Sequence, residues 1–318
     1  MGLLRLIDEI EKVRGMKYID DIRELIGNTP IIKLNHFNLK KDVNIFAKLE
    51  YWNPGGSVKD RIGEYMIKAA EDEGTLKEGY TIIEATAGNT GLGVALAAIN
   101  RGYNIIFVVP TKFSEEKQML MRAFGAKVIN TPRELGMLGA VAKAEELLAT
   151  IENSISLKQF ENIYNPLAHY ETTGPEIYEA LEGDIDYFVA GAGSGGTYTG
   201  IAKYLKEQDS RIKGILADPE GSTMGGGTAG CYNIEGIGND FIPKTMDMDL
   251  VDEIIKVNDE ESFELVRELA HKEGIIVGSS SGAALSAALK LAEKVDKGNI
   301  VTVFPDRGDR YLSKGLYL

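Results

Sequence analysis

The chain has a single cysteine, Cys231, so it cannot form an internal disulfide, and no Cys-x-x-Cys pair or Cys/His cluster outlines a metal site. Nothing in its cysteine usage asks for an oxidising compartment, and a cytoplasmic setting is expected. Basic charge is scarce as well: 35 Lys and Arg stand against 48 Asp and Glu, a net charge of −13. A nucleic-acid partner needs a basic patch, and no dense Lys/Arg run is present. No uninterrupted apolar stretch reaches the ~20 residues that span a bilayer, so no membrane partner is expected. The first fifteen residues carry Asp8, Glu9 and Glu11 among their apolar positions, which excludes a secretory apolar core. Leu3, Leu4, Ile7, Ile10 and Val13 recur there at helical spacing and predict an amphipathic helical extension over 1–15, packed on the body or on a partner subunit.

What is present is the composition of a globular chain. With 318 residues, 44% hydrophobic and 26% charged, it can bury a large core and build two compact lobes. Short β-branched runs at 44–48, 81–83, 104–109, 127–130, 186–190, 212–217 and 299–304 predict strands. Segments of helical period at 60–73, 90–100, 115–124, 136–150 and 197–207 predict helices between most of them. Such alternation favours parallel sheets covered by helices, hence an α/β fold of two lobes. The least regular stretch runs from Pro219 to Pro243 and contains the glycine run Gly225–Gly227.

Three glycine-bearing loops carry the chemistry. Gly191-Ala192-Gly193-Ser194-Gly195-Gly196 follows the strand at 186–190 and opens a helix, and Asp218 closes the next strand. Read alone, this is a dinucleotide fingerprint, which leaves an NAD-dependent dehydrogenase as a remote alternative. The underlying physics is more general: glycines admit an anion to the backbone, and a helix N-terminus supplies N–H donors, so any phosphate would fit. A dehydrogenase normally opens with this element, whereas here it follows residue 190. The second loop, Asn53-Pro54-Gly55-Gly56-Ser57-Val58-Lys59-Asp60-Arg61, places Lys59 at a helix start, where a further cation is disfavoured and a neutral amine is helped. Schiff-base chemistry requires a neutral amine; the plain alternative is a solvated lysine. In the third, Glu84-Ala85-Thr86-Ala87-Gly88-Asn89-Thr90-Gly91, hydroxyl, amide and backbone donors form a carboxylate nest or, more simply, a helix cap.

The second and third loops together resemble the paired signature of the cysteine synthase/cystathionine β-synthase family. Gln159-Phe160-Glu161-Asn162, the loop at 193–197, Gly236-Ile237-Gly238 before Phe241-Ile242-Pro243, the segment 278–282 and Arg310-Tyr311-Leu312-Ser313 follow in the family's order, so the resemblance covers about residues 18–318. The Asn-Pro-Gly-Gly and Thr-Ala-Gly-Asn forms are most similar to bacterial cystathionine β-synthase-like members. Neither a haem-binding extension before the core nor a regulatory domain after it is found.

The resemblance implies a fold-type II enzyme like the tryptophan synthase β subunit, dependent on pyridoxal 5'-phosphate (PLP). A smaller lobe would span 52–165 and a larger one 1–51 plus 166–318. It implies that Lys59 holds PLP as a Schiff base and serves as catalytic base. Gly193, Ser194, Gly195, Gly196 and Thr197 would cradle the phosphate, Asn89 would meet the ring hydroxyl, and Ser280 would face the ring nitrogen. Thr86, Ala87, Thr90 and Gln159 would bind the substrate carboxylate; Ala87 stands where the family pattern has Ser, so only a backbone contact is expected there. Homodimers are usual in the family, and small amino acids (cysteine, O-acetylserine or serine) are the expected partners.

The expected reaction is β-replacement or β-elimination through an aminoacrylate. Asp240, in Gly238-Asn239-Asp240-Phe241, would repel hydrosulfide and leave room for a water beside the β-carbon. Conversion of L-cysteine and water to L-serine and hydrogen sulfide, with Asp240 activating the water, is therefore the leading expectation. O-acetylserine-dependent cystathionine synthesis comes second and cysteine synthesis third; a solvated loop carboxylate is the plain reading of Asp240. His169 and His271 show no partner pattern and are left structural, and nothing marks Cys231 as reactive.

Overall fold

The computed structural model describes residues 18–318 apart from Ala87 and Lys112, so the helix expected over 1–15 lies outside the described residues. The chain enters through β1 (Ile31–Lys33) and β2 (Asp42–Leu49) and turns into α1 (Lys59–Asp72). There follow β3 (Thr81–Ala85), α2 (Asn89–Ala98), β4 (Asn104–Pro110), α3 (Glu115–Ala123), β5 (Lys127–Thr131), α4 (Gly136–Thr150) and β6 (Ser154–Ile155). Two short helices, α5 (Tyr164–Ala168) and α6 (Gly174–Ala180), flank a π-turn at His169–Thr173. The chain then runs β7 (Tyr187–Gly191), α7 (Gly196–Gln208), β8 (Lys213–Pro219), β9 (Glu253–Val257), α8 (Asp259–Glu268), α9 (Ser279–Lys294) and β10 (Lys297–Phe304).

These strands form two sheets. One has the order β1-β2-β10-β7-β8-β9, parallel except for the antiparallel β1 edge; the other has the order β5-β4-β3-β6 and is parallel throughout. The α/β architecture with two helix-flanked sheets is the expected one. All seven expected strands and all five expected helices are present, with ends shifted by a residue or two. β4 explains why such runs read clearly: Ile105 to Pro110 are all buried, as a strand covered on both faces requires. Neighbouring side chains then point to opposite cores. Ile82 packs with Ile62, Met66 and Leu92, while Ile83 packs with Val108, Ala140 and Ala144. Ile300 and Val301 divide in the same way between the two faces of the larger sheet.

Strand order fixes where a ligand can sit. β7 lies between β8, which follows it, and β10, which arrives last; β3 lies likewise between β4 and β6. Chains leaving such a strand on opposite sides open a crevice at its carboxyl end. The loops after β3 and β7 both lie there.

Two contacts seat the helix that begins at Lys59. Gly63 and Gly93 let α1 and α2 touch backbone to backbone: a Cβ on Gly93 would lie 2.2 Å from the carbonyl oxygen of Lys59, and one on Gly63 would lie 2.4 Å from the carbonyl of Gly93. One residue beyond Asp60, the buried Arg61 guanidinium donates to both Glu50 oxygens (2.7 and 2.9 Å) and to Glu176 (2.7 Å). Lys48, also buried, pairs with Glu176 at 2.6 Å, so two cations face two carboxylates beneath the turn. Arg61→Met should leave the fully buried Glu50 undercompensated. A loss of about 3–5 kcal/mol, read from the urea midpoint of the full chain, is expected.

Candidate active site

Four helices begin at one cleft. Its lining includes Val58 and Lys59 at the start of α1, Asn89 at the start of α2, Gly193, Ser194, Gly195 and Thr197 at the start of α7, and Ser280 in the first turn of α9. None of the four helices is capped by its N-cap side chain, so their leading amides lack that partner and give the cleft positive potential.

The turn that presents Lys59 is fastened on both sides. Ser57 bridges to Asp306 just after β10, and Val58 N–H donates to the Pro305 carbonyl at 2.8 Å. Asp60 accepts from Gly55 N–H at 2.6 Å, and Arg310 donates to the Gly55 carbonyl. Burial in this setting lowers the Lys59 amine to about 8, against the opposing pull of the Asp306 carboxylate. The amine makes no hydrogen bond to another described residue. Asp306 was not singled out in the sequence, yet its Oδ2 accepts from Asn89 Nδ2 (2.6 Å) and from the Tyr311 hydroxyl. Its buried Oδ1 has no hydrogen-bond partner among the described residues.

Asn89 accepts from Arg310 Nη1 at 2.7 Å and uses one Nδ2 hydrogen on Asp306, leaving the second free. In the loop before it, Thr86 Oγ1 accepts from the amides of Gly88 and Gly91, both at 3.2 Å, so its own proton remains available. Thr90 donates to Gln159 Oε1 at 2.6 Å, which occupies the Gln159 carbonyl and leaves its NH2 free. The Gln159 turn is set by Glu84, whose Oε1 accepts from Ser156 Oγ (2.9 Å) and from the amides of Leu157 and Lys158; burial raises that carboxyl despite these bonds. Thr86, Thr90 and Gln159 are thus brought together, while Ala87 lies outside the described residues.

The glycine loop after β7 is packed from behind. Gly195 is left-handed (φ +86°), and a Cβ there would strike the Met246 backbone at 2.7 Å. Asn165 Nδ2 donates to Ser194 Oγ (3.0 Å) and to the main-chain carbonyl of Gln159 (2.7 Å), joining this loop to the Gln159 turn. Thr197 Oγ1 meets His169 Nε2 at 3.0 Å, a partner that the sequence had not suggested for His169. Asp218, the acidic residue of the dinucleotide pattern, is buried and bound to Lys256 at 2.5 Å and to Gly225 N–H at 3.0 Å.

The loop with Asp240 packs on the glycine loop: Gly238 N–H donates to the Ala192 carbonyl (2.8 Å) and Asn239 Nδ2 to the Gly193 carbonyl (2.5 Å). Asp240 itself is exposed and is not among the residues lining the cleft around Lys59. The carboxylates that do line it are Asp306 and Glu235, the latter held by Lys117 at 3.1 Å and by Lys314. Lys117 comes from α3, also meets the Tyr311 hydroxyl at 3.1 Å, and fills the space that a side chain on Gly88 would need. Glu235, Lys117 and Asp306 act across long sequence separations and had no local signal. Cys231 and His271 are exposed, and among the described residues no group of His, Cys, Asp and Glu could hold a metal ion. No described helix is long and apolar enough to cross a membrane.

A family model described as pyridoxal-phosphate dependent enzyme matches residues 22–306. The O-acetylserine dependent cystathionine beta-synthase of Bacillus subtilis (strain 168) is 54% identical over 95% of this chain and 99% of its own length. A cysteine synthase of Helicobacter pylori (strain ATCC 700392 / 26695) is 49% identical over 95% and 100%. Among solved structures, O-acetylserine dependent cystathionine beta-synthase from Helicobacter pylori superposes with a TM-score of 0.91 at 49% identity, covering 95% of this chain and 100% of that one. A hydrogen sulfide-producing enzyme from Fusobacterium nucleatum superposes with a TM-score of 0.89 at 41% identity, covering 92% and 100%.

The lowered amine has a measurable consequence in the cofactor-stripped chain. Between about 8 and 10.5 the folded amine is neutral while the unfolded one still binds a proton, so folding stability should rise with pH across that window. Labelling of Lys59 by an amine reagent, read by peptide mapping, should increase through a midpoint near 8. Because Asp306 opposes the shift, Asp306→Asn should move that midpoint lower; a midpoint near the ordinary lysine value would contradict the assignment.

Proposed function

The chain belongs to the pyridoxal-phosphate dependent enzymes, in the cysteine synthase/cystathionine β-synthase family, and on that premise we propose that it catalyses β-replacement on O-acetylserine with an amino-acid thiol as nucleophile, forming cystathionine. The observation that carries this reading is the amine of Lys59, whose proton affinity burial lowers to about 8 in a cleft where four helices begin. The cofactor fits the residues around it. The uncapped start of α7 with Ser194 and Thr197 offers donors to a phosphate, Lys59 offers an amine of lowered proton affinity to an aldehyde carbon, and Ser280 offers a hydroxyl to the ring nitrogen.

Bound PLP supplies an electron-withdrawing ring that acidifies the substrate Cα–H and allows the β-substituent to depart. In our reading, Lys59 Nζ removes that proton and later returns it to Cα. The free hydrogen of Asn89 Nδ2 would be offered to the ring hydroxyl. The Thr86 hydroxyl, the Gln159 NH2 and the amides at the start of α2 hold the substrate carboxylate, with the Ala87 backbone expected beside them. Ser280 is uncharged, so it would not fix a proton on the ring nitrogen, which would favour departure of the β-group over prolonged carbanion chemistry. At the β-carbon, acetate leaves, the sulfur of the incoming thiol bonds, and the thiol proton is released. Asp240, exposed on the adjoining loop, suits the ammonium group of that second amino acid.

A second reading is cysteine as first substrate and water as nucleophile, giving serine and hydrogen sulfide. It is favoured by the solvent exposure of Asp240, which makes no hydrogen bond to another described residue, and by the similarity to a hydrogen sulfide-producing enzyme. Product analysis separates the two. Purified enzyme given O-acetylserine plus homocysteine should form cystathionine faster than enzyme given cysteine alone releases serine; the reverse order would overturn the first reading in favour of the second. Asp240→Asn should raise the KM for homocysteine about tenfold with little change in the KM for O-acetylserine. Lys59→Ala should abolish turnover with either substrate pair and the visible chromophore.

A further inference from the structure

The imidazole of His169 is fully buried behind the glycine loop, outside the cleft lining, and both of its ring nitrogens have hydroxyl neighbours. Nε2 lies 3.0 Å from Thr197 Oγ1, and Nδ1 lies 2.8 Å from Thr173 Oγ1. Thr173 is fully buried too and makes no other side-chain hydrogen bond among the described residues. Thr197 differs from both, since it lines the cleft and is partly exposed to it. His169 and Thr173 are the two ends of the π-turn between α5 and α6, which places two residues four apart close enough to bond through their side chains.

A neutral imidazole has one donor nitrogen and one acceptor nitrogen, so the line Thr173–His169–Thr197 has two hydrogen arrangements. In the first, Thr173 donates to Nδ1 and Nε2–H donates to Thr197 Oγ1. The Thr197 proton is then unspent and can point into the cleft. In the second, Nδ1–H donates to Thr173 and the Thr197 proton is consumed on Nε2, so the cleft meets only a lone pair. A phosphate accepts and does not donate, so only the first arrangement gives it a bond from Thr197. Burial holds the ring neutral, and positive charge at Lys59, whenever that group is protonated, and on Arg61 acts in the same sense against the weaker opposing effect of Glu176.

We propose that His169 is a positioning residue for the cofactor phosphate: fixed by Thr173 as the Nε2–H tautomer, it keeps the Thr197 hydroxyl proton turned toward the anion. The inference rests on the reading that the 193–197 loop holds the phosphate of PLP. It gives the buried pair His169 and Thr173 a role in cofactor retention rather than in proton transfer to substrate.

The test is release of PLP from full-length holoenzyme, followed by loss of its visible absorbance under dilution with a scavenger, together with the apparent affinity on adding PLP back. Thr197→Val should weaken retention by about tenfold. Thr173→Val, nearly isosteric, frees the tautomer and should weaken it severalfold, while Thr173→Ser should restore it. His169→Gln, which keeps an N–H donor, should retain PLP better than His169→Leu. The discriminating measurement is the double variant: with Thr197 already Val, Thr173→Val should add less than a twofold effect, because the group it orients is gone. Multiplying effects, or wild-type retention in Thr173→Val beside weakened Thr197→Val, would overturn the positioning role alone. Unchanged retention in Thr197→Val would instead overturn the phosphate assignment on which it rests. Thermal midpoints of the stripped chains separate weaker retention from weaker folding.

Discussion

The starts of α1, α2, α7 and α9 converge, and the rest of the molecule is arranged so that they can. None is capped by its own N-cap side chain, and four such ends around one crevice make a region that welcomes anions and resists another cation. Burial is the force that lowers the Lys59 amine, and the Asp306 carboxylate opposes it. One arrangement therefore serves three needs of the chemistry: a place for a phosphate, a place for a carboxylate, and an amine free to act as a base. The two sheets supply it through strand order, since β3 and β7 are the strands from which neighbouring connections diverge.

Residues distant in sequence then hold the pieces in register. Asp306 is the clearest case. From the end of β10 it bridges to Ser57, accepts from Asn89 and Tyr311, and lies close enough to Lys59 to oppose the fall in its proton affinity. Arg310 adds bonds to Gly55 and Asn89 from the same C-terminal segment. The last fifteen residues thus close a site whose reactive amine appears before residue 60. Across the mouth, Lys117 from α3 meets Glu235 on the segment that leads to Asp240, so α3 and that segment share an ion pair.

The sequence was legible where the physics is local. Strands buried on both faces, such as β4, read as apolar runs, and glycine loops between strand and helix announced three of the four helix starts that meet at the cleft. Elements governed by distant packing were not legible. β1 has three residues and β6 two, too few for a period, and β9 (Glu-Ile-Ile-Lys-Val) is a charged edge strand after an irregular stretch. α9 opens Ser-Ser-Ser-Gly, a poor helix former by propensity, and is helical because residues 279–288 are wholly buried. The same limit hid Asp306 and Glu235, which look like turn acids until the chain is folded. His169 had no partner pattern because Thr197 lies 28 residues away and Thr173, only four residues on, is brought to the ring by a π-turn that has no sequence period. Asp240 could be placed on its loop, but nothing in the sequence told that Glu235, rather than Asp240, lines the cleft near the amine.

The contact between Gly63 and Gly93 bears on how this protein can vary. Its obstacles are main-chain atoms, including the carbonyl of Lys59, and main chain cannot be trimmed or rotated aside as a side chain can. A methyl group at residue 93 would have to be accommodated by sliding a whole helix, and that helix begins with the reactive lysine. Position 93 is therefore a mechanical handle on an atom far from it in the chain, and drift there would be felt as misplaced chemistry before it was felt as lost structure.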